Sequence, residues 1–288
     1  MKIRKAVITA AGLGTRLLPA TKETPKEMLP LFVRDESGGV CLKPLLQIVF
    51  EQLYGFGVRD FCVIVGKSKR SIEDHFTPDA TFIDELSRRS KPESVRGLEK
   101  FYSMLNDSEI VWKNQPYPRG FGDAVSLAKK FVGEEPFLVY AGDTFIISED
   151  NDFLNSLSKV HSNYKAKASL LCERVQDPER FGVIVGKEVS KGIYKVDEIV
   201  EKPKTPPSNV VAAAIYIFDP AIFESLEKVS CRSGEKELTD AIQKLVEQGR
   251  SVYAVELTAE EERLDIGTSE AYKLALDRSY DWAKRVRS

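Results

Sequence analysis

The sequence predicts an α/β fold built on a parallel sheet, and three observations carry that prediction. Residues 6–11, Ala-Val-Ile-Thr-Ala-Ala, are a short apolar run that reads as a buried strand ending at Gly12. Residues 43–55, Lys-Pro-Leu-Leu-Gln-Ile-Val-Phe-Glu-Gln-Leu-Tyr-Gly, carry apolar side chains at helical spacing and stop on a glycine. Phe61-Cys-Val-Ile-Val65 is a second strand. Strand, helix and strand in that order form a βαβ unit, which crosses over right-handed into a parallel sheet.

The remaining elements follow in order. Residues 71–76 begin another helix, and 78–107 are polar with scattered apolar positions (Phe82, Ile83, Leu86, Leu98, Phe101, Leu105), a helical excursion outside the sheet. Residues 109–112 form a third strand, followed by a loop over 114–123 with two prolines and two glycines and a helix over 124–131. A buried strand over 136–141 ends in Gly142-Asp143. A helix over 152–163 and a strand over 166–174 come next. The pattern then changes to short strands with turns, over 181–185, 192–200 and 210–218. A helix over 237–248, a strand over 252–257 and a final helix from Thr268 to about Val286 complete the chain. With no repeat, low-complexity stretch or long linker, residues 1–288 read as one domain whose second half extends the first half's sheet.

Composition narrows the function. A chain of 288 residues can bury a large core. Its 42 Lys and Arg against 44 Asp and Glu give a formal net charge of −2, without the basic stripe of a nucleic-acid binder. The apolar stretch before Gly12 is too short for a signal peptide, and no run reaches membrane-spanning length. The expectation is a soluble, cytoplasmic protein with neither nucleic-acid nor membrane partners. Cys41, Cys62, Cys172 and Cys231 form no Cys-x-x-Cys pair, and Cys62 and Cys172 read as core thiols. His75 and His161, the only two histidines, exclude a His-rich metal site and read as solvated helix residues. Trp112 and Trp282 read as core or interface.

The candidate site starts at the first strand's C-terminal end, where open α/β sheets bind ligands. Gly12 and Gly14 let backbone N–H groups approach a polyphosphate, Thr15 adds a hydroxyl, and Arg16, Lys22 and Lys26 supply positive charge. This is a triphosphate cradle. A dinucleotide fingerprint would need glycine where Leu17 stands, and the Walker pattern is absent. Asp143, just past the end of a central strand, faces the same edge and is a natural ligand for Mg²⁺ on a bound polyphosphate.

These residues carry a family resemblance. Ala-Gly-Leu-Gly-Thr-Arg-Leu-Leu-Pro-Ala-Thr-Lys, followed by Pro-Lys-Glu-Met-Leu-Pro, resembles the bacterial-type UTP–glucose-1-phosphate uridylyltransferases among the sugar-1-phosphate nucleotidyltransferases. The likeness continues through Lys43-Pro-Leu-Leu-Gln47, Gln115 with Gly120-x-Gly122-x-Ala124-Val125, and Phe181-Gly182-Val183. It resumes at Val200-Glu-Lys-Pro-Lys204 and Glu237-Leu-Thr-Asp-Ala-Ile242, so it covers essentially the whole chain. It implies a three-layer αβα, Rossmann-like (glycosyltransferase-A-like) fold with a mixed, mainly parallel central sheet. Within it, 1–165 would be mainly nucleotide-binding, 166–267 mainly sugar-phosphate-binding, and 268–288 the C-terminal helix.

The resemblance also implies roles. Backbone of Ala11, Gly12, Leu13, Gly14 and Thr15 would hold the nucleotide, with Arg16 and Lys26 on its phosphates. Glu27 and Gln115 would lie at the base, and Gly120 would let the loop close on it. Gly182 and Glu201 would meet the sugar and Lys202 its phosphate, while Asp143 and Asp265 would bind Mg²⁺. The implied reaction is Mg²⁺-dependent uridylyl transfer from UTP to glucose 1-phosphate, by a homodimer or homotetramer. Arg16, Lys26, Asp143 and Lys202 would be the catalytic set. A thymidylyltransferase using dTTP and a non-catalytic sugar-nucleotide-binding regulator are the alternatives.

Taken singly, several of these residues have plainer readings. Gly182 fits a strand glycine, Lys202 a solvated strand residue, Asp265 a cap of the final helix (Thr268 and Ser269 being better placed), and Glu237-Leu-Thr-Asp240 a helix start. Two departures from the family stand out. Ala141-Gly142 replaces the usual leucine-proline before the metal aspartate, and with Leu264-Asp-Ile-Gly-Thr268 lies closer to the thymidylyltransferase and mannose-1-phosphate guanylyltransferase branches. Ala214-Ile215 replaces a Gly-Arg pair before Tyr216, which alters the pocket wall near the sugar.

Overall fold

In the computed structural model, which describes residues 3–35, 37–89, 91–231 and 234–285, the first apolar run is β1 (Lys5–Ala10). The chain continues through β2 (Pro30–Arg34), β3 (Val40–Pro44), α1 (Leu45–Phe56), β4 (Asp60–Val65), α2 (Arg70–His75), α3 (Ala80–Arg88), α4 (Pro92–Asn106) and β5 (Glu109–Asn114). It proceeds with α5 (Phe121–Ser126), α6 (Lys129–Val132), β6 (Phe137–Ala141), β7 (Thr144–Ile147), α7 (Asp152–Asn163) and β8 (Ala168–Arg174). It ends with β9 (Gly182–Ser190), β10 (Ile193–Glu201), β11 (Val210–Phe218), α8 (Ile222–Lys228), α9 (Leu238–Glu247), β12 (Val252–Glu256), β13 (Glu262–Asp265) and α10 (Ser269–Lys284).

Nine strands form one sheet in the order β5-β4-β1-β6-β11-β8-β12-β10-β9. β5, β4, β1 and β6 run parallel, as the βαβ reading requires. At the β6–β11 junction the direction reverses: β11 is antiparallel to both β6 and β8. β8 and β12 are parallel, and β12, β10 and β9 antiparallel. The mixed, three-layer αβα architecture is therefore present.

Alternation along the strands feeds two apolar layers, one per face. Ile8, Phe61, Tyr140 and Ile215 join Phe50 of α1 and Phe153 of α7 on one face. Val7, Cys62, Val139 and Tyr216 join Val125 of α5, Phe223 of α8 and Leu245 of α9 on the other. Phe50 is the hub of the first layer, with ring centroids 4.7 Å from Phe61, 5.5 Å from Phe76 and 5.9 Å from Phe101. Burying such a ring is worth about 2–3 kcal/mol.

The structure departs from the sequence reading in instructive places. The helix expected from residue 43 begins at Leu45, because Lys43 and Pro44 close β3 of an unforeseen hairpin. The β2–β3 turn is held by Asp35, whose Oδ1 accepts from the N–H groups of Ser37 and Gly39 at 2.9 and 2.8 Å. The helix expected over 124–131 is two short helices, α5 and α6. The short elements β7, α8 and β13 were not foreseen. The polar excursion over 78–107 does form two helices, α3 and α4.

Neither histidine is a solvated helix residue. His161 is buried against Ser169, with its Nδ1 3.1 Å from the hydroxyl, and burial drives its pKa down to about 4. His75 packs on the Phe101 ring at 5.4 Å and meets Gln47 Oε1 at 2.9 Å. Cys62 and Cys172 are buried thiols, and Trp282 packs edge-on against Phe145. Thr268, not Asp265, caps α10: its hydroxyl accepts from the Ala271 N–H at 3.2 Å. The helix end expected near Val286 lies outside the described residues.

α10 closes over the hairpin. Tyr280 meets Phe32 edge-on at 5.0 Å, the Phe32 N–H donates to Ser279 Oγ at 3.3 Å, and the Tyr272 hydroxyl donates to the Pro30 carbonyl at 3.0 Å. Among the described residues, no helix is long and apolar enough to cross a membrane.

Candidate active site

The C-terminal ends of β1, β4 and β6 are drawn tightly together by glycines. A Cβ on Gly66 would lie 2.9 Å from the Ala11 carbonyl oxygen, and one on Gly142 would lie 2.8 Å from that of Thr9. Gly142 donates its own N–H to Thr9 at 2.9 Å. The Ala141-Gly142 departure therefore answers to strand packing; only a residue without a side chain fits between β1 and Asp143.

Above this edge opens a cavity of about 500 Å³. Ala11, Gly12, Leu13, Gly14, Thr15 and Arg16 form its floor and one wall, and Lys26, Glu27, Gln115, Gly120 and Asp143 also line it. Gly14 has φ +64°, and its carbonyl accepts from the Thr21 hydroxyl at 2.7 Å, which fixes the turn that aims this backbone inward. Lys22 is not part of the site: its side chain is exposed beside Glu23.

Charge is concentrated at one end of the cavity. Lys26 is ion-paired with Asp143. Burial alone would lower the Lys26 pKa, but Asp143, Glu27 and Asp265 outweigh it and hold the ammonium above its ordinary value. Burial works against the Asp143 carboxylate too, yet the Lys26 charge brings it below the usual range. Asp265 goes the other way, pushed up by burial and then by the Asp143 charge. The two aspartates are neighbours through the β7–β13 pairing, with Asp265 opposite Thr144 and the Ile266 N–H donating to the Asp143 carbonyl at 3.3 Å. Arg16 reaches over the next turn, where a Cβ on Gly267 would come within 2.9 Å of its Nη2.

Asp143 lines the cavity, whereas Asp265 is its neighbour without lining it; carboxylates are hard oxygen donors, of the kind Mg²⁺ uses when substrate phosphates complete its shell. Among the described residues no group of three or more acidic, His or Cys side chains is arranged to hold a metal ion by itself, so a cage made of protein alone is not what this site offers.

The end of the cavity expected to meet the base is built on Gln115, whose Nε2 donates to Asp123 Oδ2 at 2.8 Å and to the Gly120 carbonyl at 3.3 Å. Gly120 has φ +96°, and a Cβ there would lie 2.7 Å from the Lys236 carbonyl oxygen. Glu27, 1% exposed, is held by Lys69 at 2.7 Å. Burial raises the Glu27 pKa, and Lys69 opposes the rise. Lys69 carries no signal in the sequence; it reaches the site only through the fold.

Gly182, Glu201 and Lys202 do not line this cavity and form a second cluster. Gly182 pairs with Glu201 across β9 and β10, and a Cβ on it would meet Thr239 Oγ1 at 3.0 Å. Thr239 donates to Glu201 Oε2 at 2.7 Å. Lys202 Nζ lies 3.0 Å from Glu201 Oε1 and 3.7 Å from Glu237 Oε1, on backbone at φ +42°. Burial would lower its pKa, but Glu201, Glu237 and Glu235 raise it. Glu235, which also lines the nucleotide-side cavity, stands between the two clusters. Thr239 was legible as part of Glu237-Leu-Thr-Asp240, though its partner was not.

The second departure resolves into two faces. Ala214 lines the cavity at φ +58°, in a β-bulge where pairing with β8 skips from Ala212 to Tyr216. Ile215 points the opposite way, fully buried in the Phe50 layer. Ala214 alone alters the pocket wall.

Comparison with known proteins speaks to family and fold. Residues 5–279 match the nucleotidyl transferase family. A UTP–glucose-1-phosphate uridylyltransferase of Bacillus subtilis is 39% identical over 273 residues, covering 92% of this chain and 87% of its own. One from Streptococcus pneumoniae is 39% identical over 274 residues, covering 92% and 86%. A UDP-glucose pyrophosphorylase solved with UDP-glucose superposes with a TM-score of 0.83 at 29% identity, over 97% of this chain and 99% of that one. The UTP-bound enzyme from Acinetobacter baumannii superposes at 0.82 with 28% identity, over 96% and 93%. A family match over residues 5–279, and relatives 39% identical across nine tenths of its length, show that the chain belongs to the nucleotidyl transferase family.

Proposed function

We propose that the protein transfers a uridylyl group from UTP to glucose 1-phosphate, giving UDP-glucose and pyrophosphate. The observation that carries the reading is the gathering, around one cavity, of the Gly12–Gly14 backbone, Arg16, Lys26 and Asp143, with Asp265 next to Asp143 across the β7–β13 pairing. A phosphate oxygen of the sugar phosphate attacks the α-phosphorus; the bond to the β-phosphate oxygen breaks, and pyrophosphate leaves. The nucleophile is already anionic, so no protein base is needed, and catalysis is positioning and charge neutralisation. Lys26, now on Asp143, exchanges to the triphosphate, and Arg16 supports the departing charge. Lys202 holds the incoming sugar phosphate. Asp143 and Asp265 would hold Mg²⁺, which supplies positive charge to the phosphates. Residues 1–165 supply the triphosphate side and 166–267 the sugar side, followed by α10 over Ser269–Lys284. A cytoplasmic homodimer or homotetramer belongs to the same reading.

The test is a panel of UTP and dTTP against several sugar 1-phosphates, with pyrophosphate release measured with Mg²⁺ and after chelation. UTP with glucose 1-phosphate is expected to lead, and chelation to abolish release. Preference for dTTP would make the protein a thymidylyltransferase. Binding without pyrophosphate release would make it a sugar-nucleotide-binding regulator. Release that survives chelation would remove the metal from the account.

A further inference from the structure

The nucleotide cavity and the sugar-phosphate cluster are joined by one short stretch, residues 234–237, running between α8 and α9. Its main chain is clamped onto the base-end loop: the Lys236 N–H donates to the Arg119 carbonyl at 2.7 Å, and the Gly122 N–H donates to the Lys236 carbonyl at 2.8 Å. The fit leaves no room for side chains on the loop. A Cβ on Gly122 would stand 2.9 Å from that carbonyl oxygen, and one on Gly120 would be closer still. One residue further on, the Glu237 carboxylate faces Lys202 at 3.7 Å. A continuous path thus runs from Gln115, bonded to Gly120, through Lys236 to the lysine of the sugar-phosphate cluster.

The two acids beside Lys202 differ. Glu201 is anchored by the Thr239 hydroxyl through one oxygen and holds Lys202 through the other. Glu237 sits on the strap, so its distance from Lys202 is set by how the strap lies on Gly120 and Gly122. Burial and the adjacent Glu201 raise its pKa, showing a carboxylate held among like charges by the lysine. An incoming sugar phosphate must replace that carboxylate as the partner of Lys202.

We infer that residues 234–237 form a strap that couples the two half-sites, with Glu237 as a positioning residue that parks Lys202 until the sugar phosphate displaces it. This rests on the assignment of Lys202 to the sugar phosphate above. Glu237→Gln keeps the shape and removes the competing charge. Because Lys202 is more than half exposed, screening limits the gain: KM for glucose 1-phosphate is expected to fall about three- to fivefold. Gly122→Ala displaces the strap from the base-end loop, and KM is expected to rise for both substrates. An unchanged or higher KM for glucose 1-phosphate in Glu237→Gln overturns the parking role. A Gly122→Ala effect confined to UTP in a folded protein overturns the coupling. The Kd of glucose 1-phosphate, measured calorimetrically, reads the Glu237 effect without turnover. An inactive wild-type protein that still shows the Kd shift would sink uridylyl transfer and leave the strap standing, whereas an unmoved Kd sinks the strap whatever the activity.

Discussion

Under the proposed function, the nucleotide side and the sugar side of the site face the same problem, holding a phosphate, and their lysines are set by opposite means. On the nucleotide side the work falls to backbone and glycine at the ends of parallel strands, and its lysines are shielded: Lys26 on Asp143, Lys69 on the buried Glu27. On the sugar side the strands are antiparallel, and a solvent-facing lysine stands among acids on a left-handed backbone position. A buried cation paired with an acid is preorganised, because little solvent or side-chain rearrangement accompanies the reaction. An exposed one is adaptable and cheap to move. If the proposed function holds, the difference suits a triphosphate side built for rate and a sugar side built for exchange.

The largest effect that would test this contrast lies behind the nucleotide side. Lys69→Met leaves the Glu27 carboxylate buried without its cation, and stability to denaturant is expected to fall by about 3–5 kcal/mol. A loss below 1 kcal/mol would mean that the pair is not the seat of the Lys26 turn. Next come the two phosphate lysines. Lys26→Ala should lower kcat by about 10²- to 10³-fold, as removal of a preorganised charge does. Lys202→Ala should mainly raise KM for glucose 1-phosphate, by about tenfold. Equal kcat losses in both variants would erase the distinction between rate and exchange.

A third measurement concerns the packing of the antiparallel half. The folded pKa of His161, about 4, is depressed from an unfolded value near 6.5 by burial, so the fold favours the neutral ring. Its contribution is complete above about pH 6.5 and is lost as pH falls toward 4, costing up to about 3 kcal/mol. His161→Gln should flatten that stretch of the stability–pH curve, and a curve of unchanged slope would place the acid sensitivity elsewhere. The smallest effect is at Ala214. Replacement by glycine relieves a side chain at φ +58° and should raise stability by about 0.5–1 kcal/mol, read from the denaturation midpoint.

Much of this was legible in the sequence, for identifiable reasons. Strands of the parallel block are buried on both faces, so β1, β4 and β6 read as unbroken apolar runs. The glycines and cations of the opening loop lie within one stretch of chain, which is why Gly12, Gly14, Arg16 and Lys26 were found together. What escaped was non-local or short. The β2–β3 hairpin is bounded by prolines and needs α10 to cover it. Lys69 meets Glu27 across 42 residues, and His161 becomes buried only when β8 arrives beside α7. Gly142 is a packing glycine only because β1 lies alongside, a fact no spacing discloses. Lys22 shows the converse error: near in sequence to the cradle, it turns outward.

The hairpin that follows Lys26 by a few residues is sealed by α10, through Phe32–Tyr280, Ser279 and Tyr272. In the time order of synthesis, β1 to β6 leave the ribosome long before their lid exists. The nascent chain therefore carries its glycine loop beside an uncovered apolar hairpin until α10 emerges.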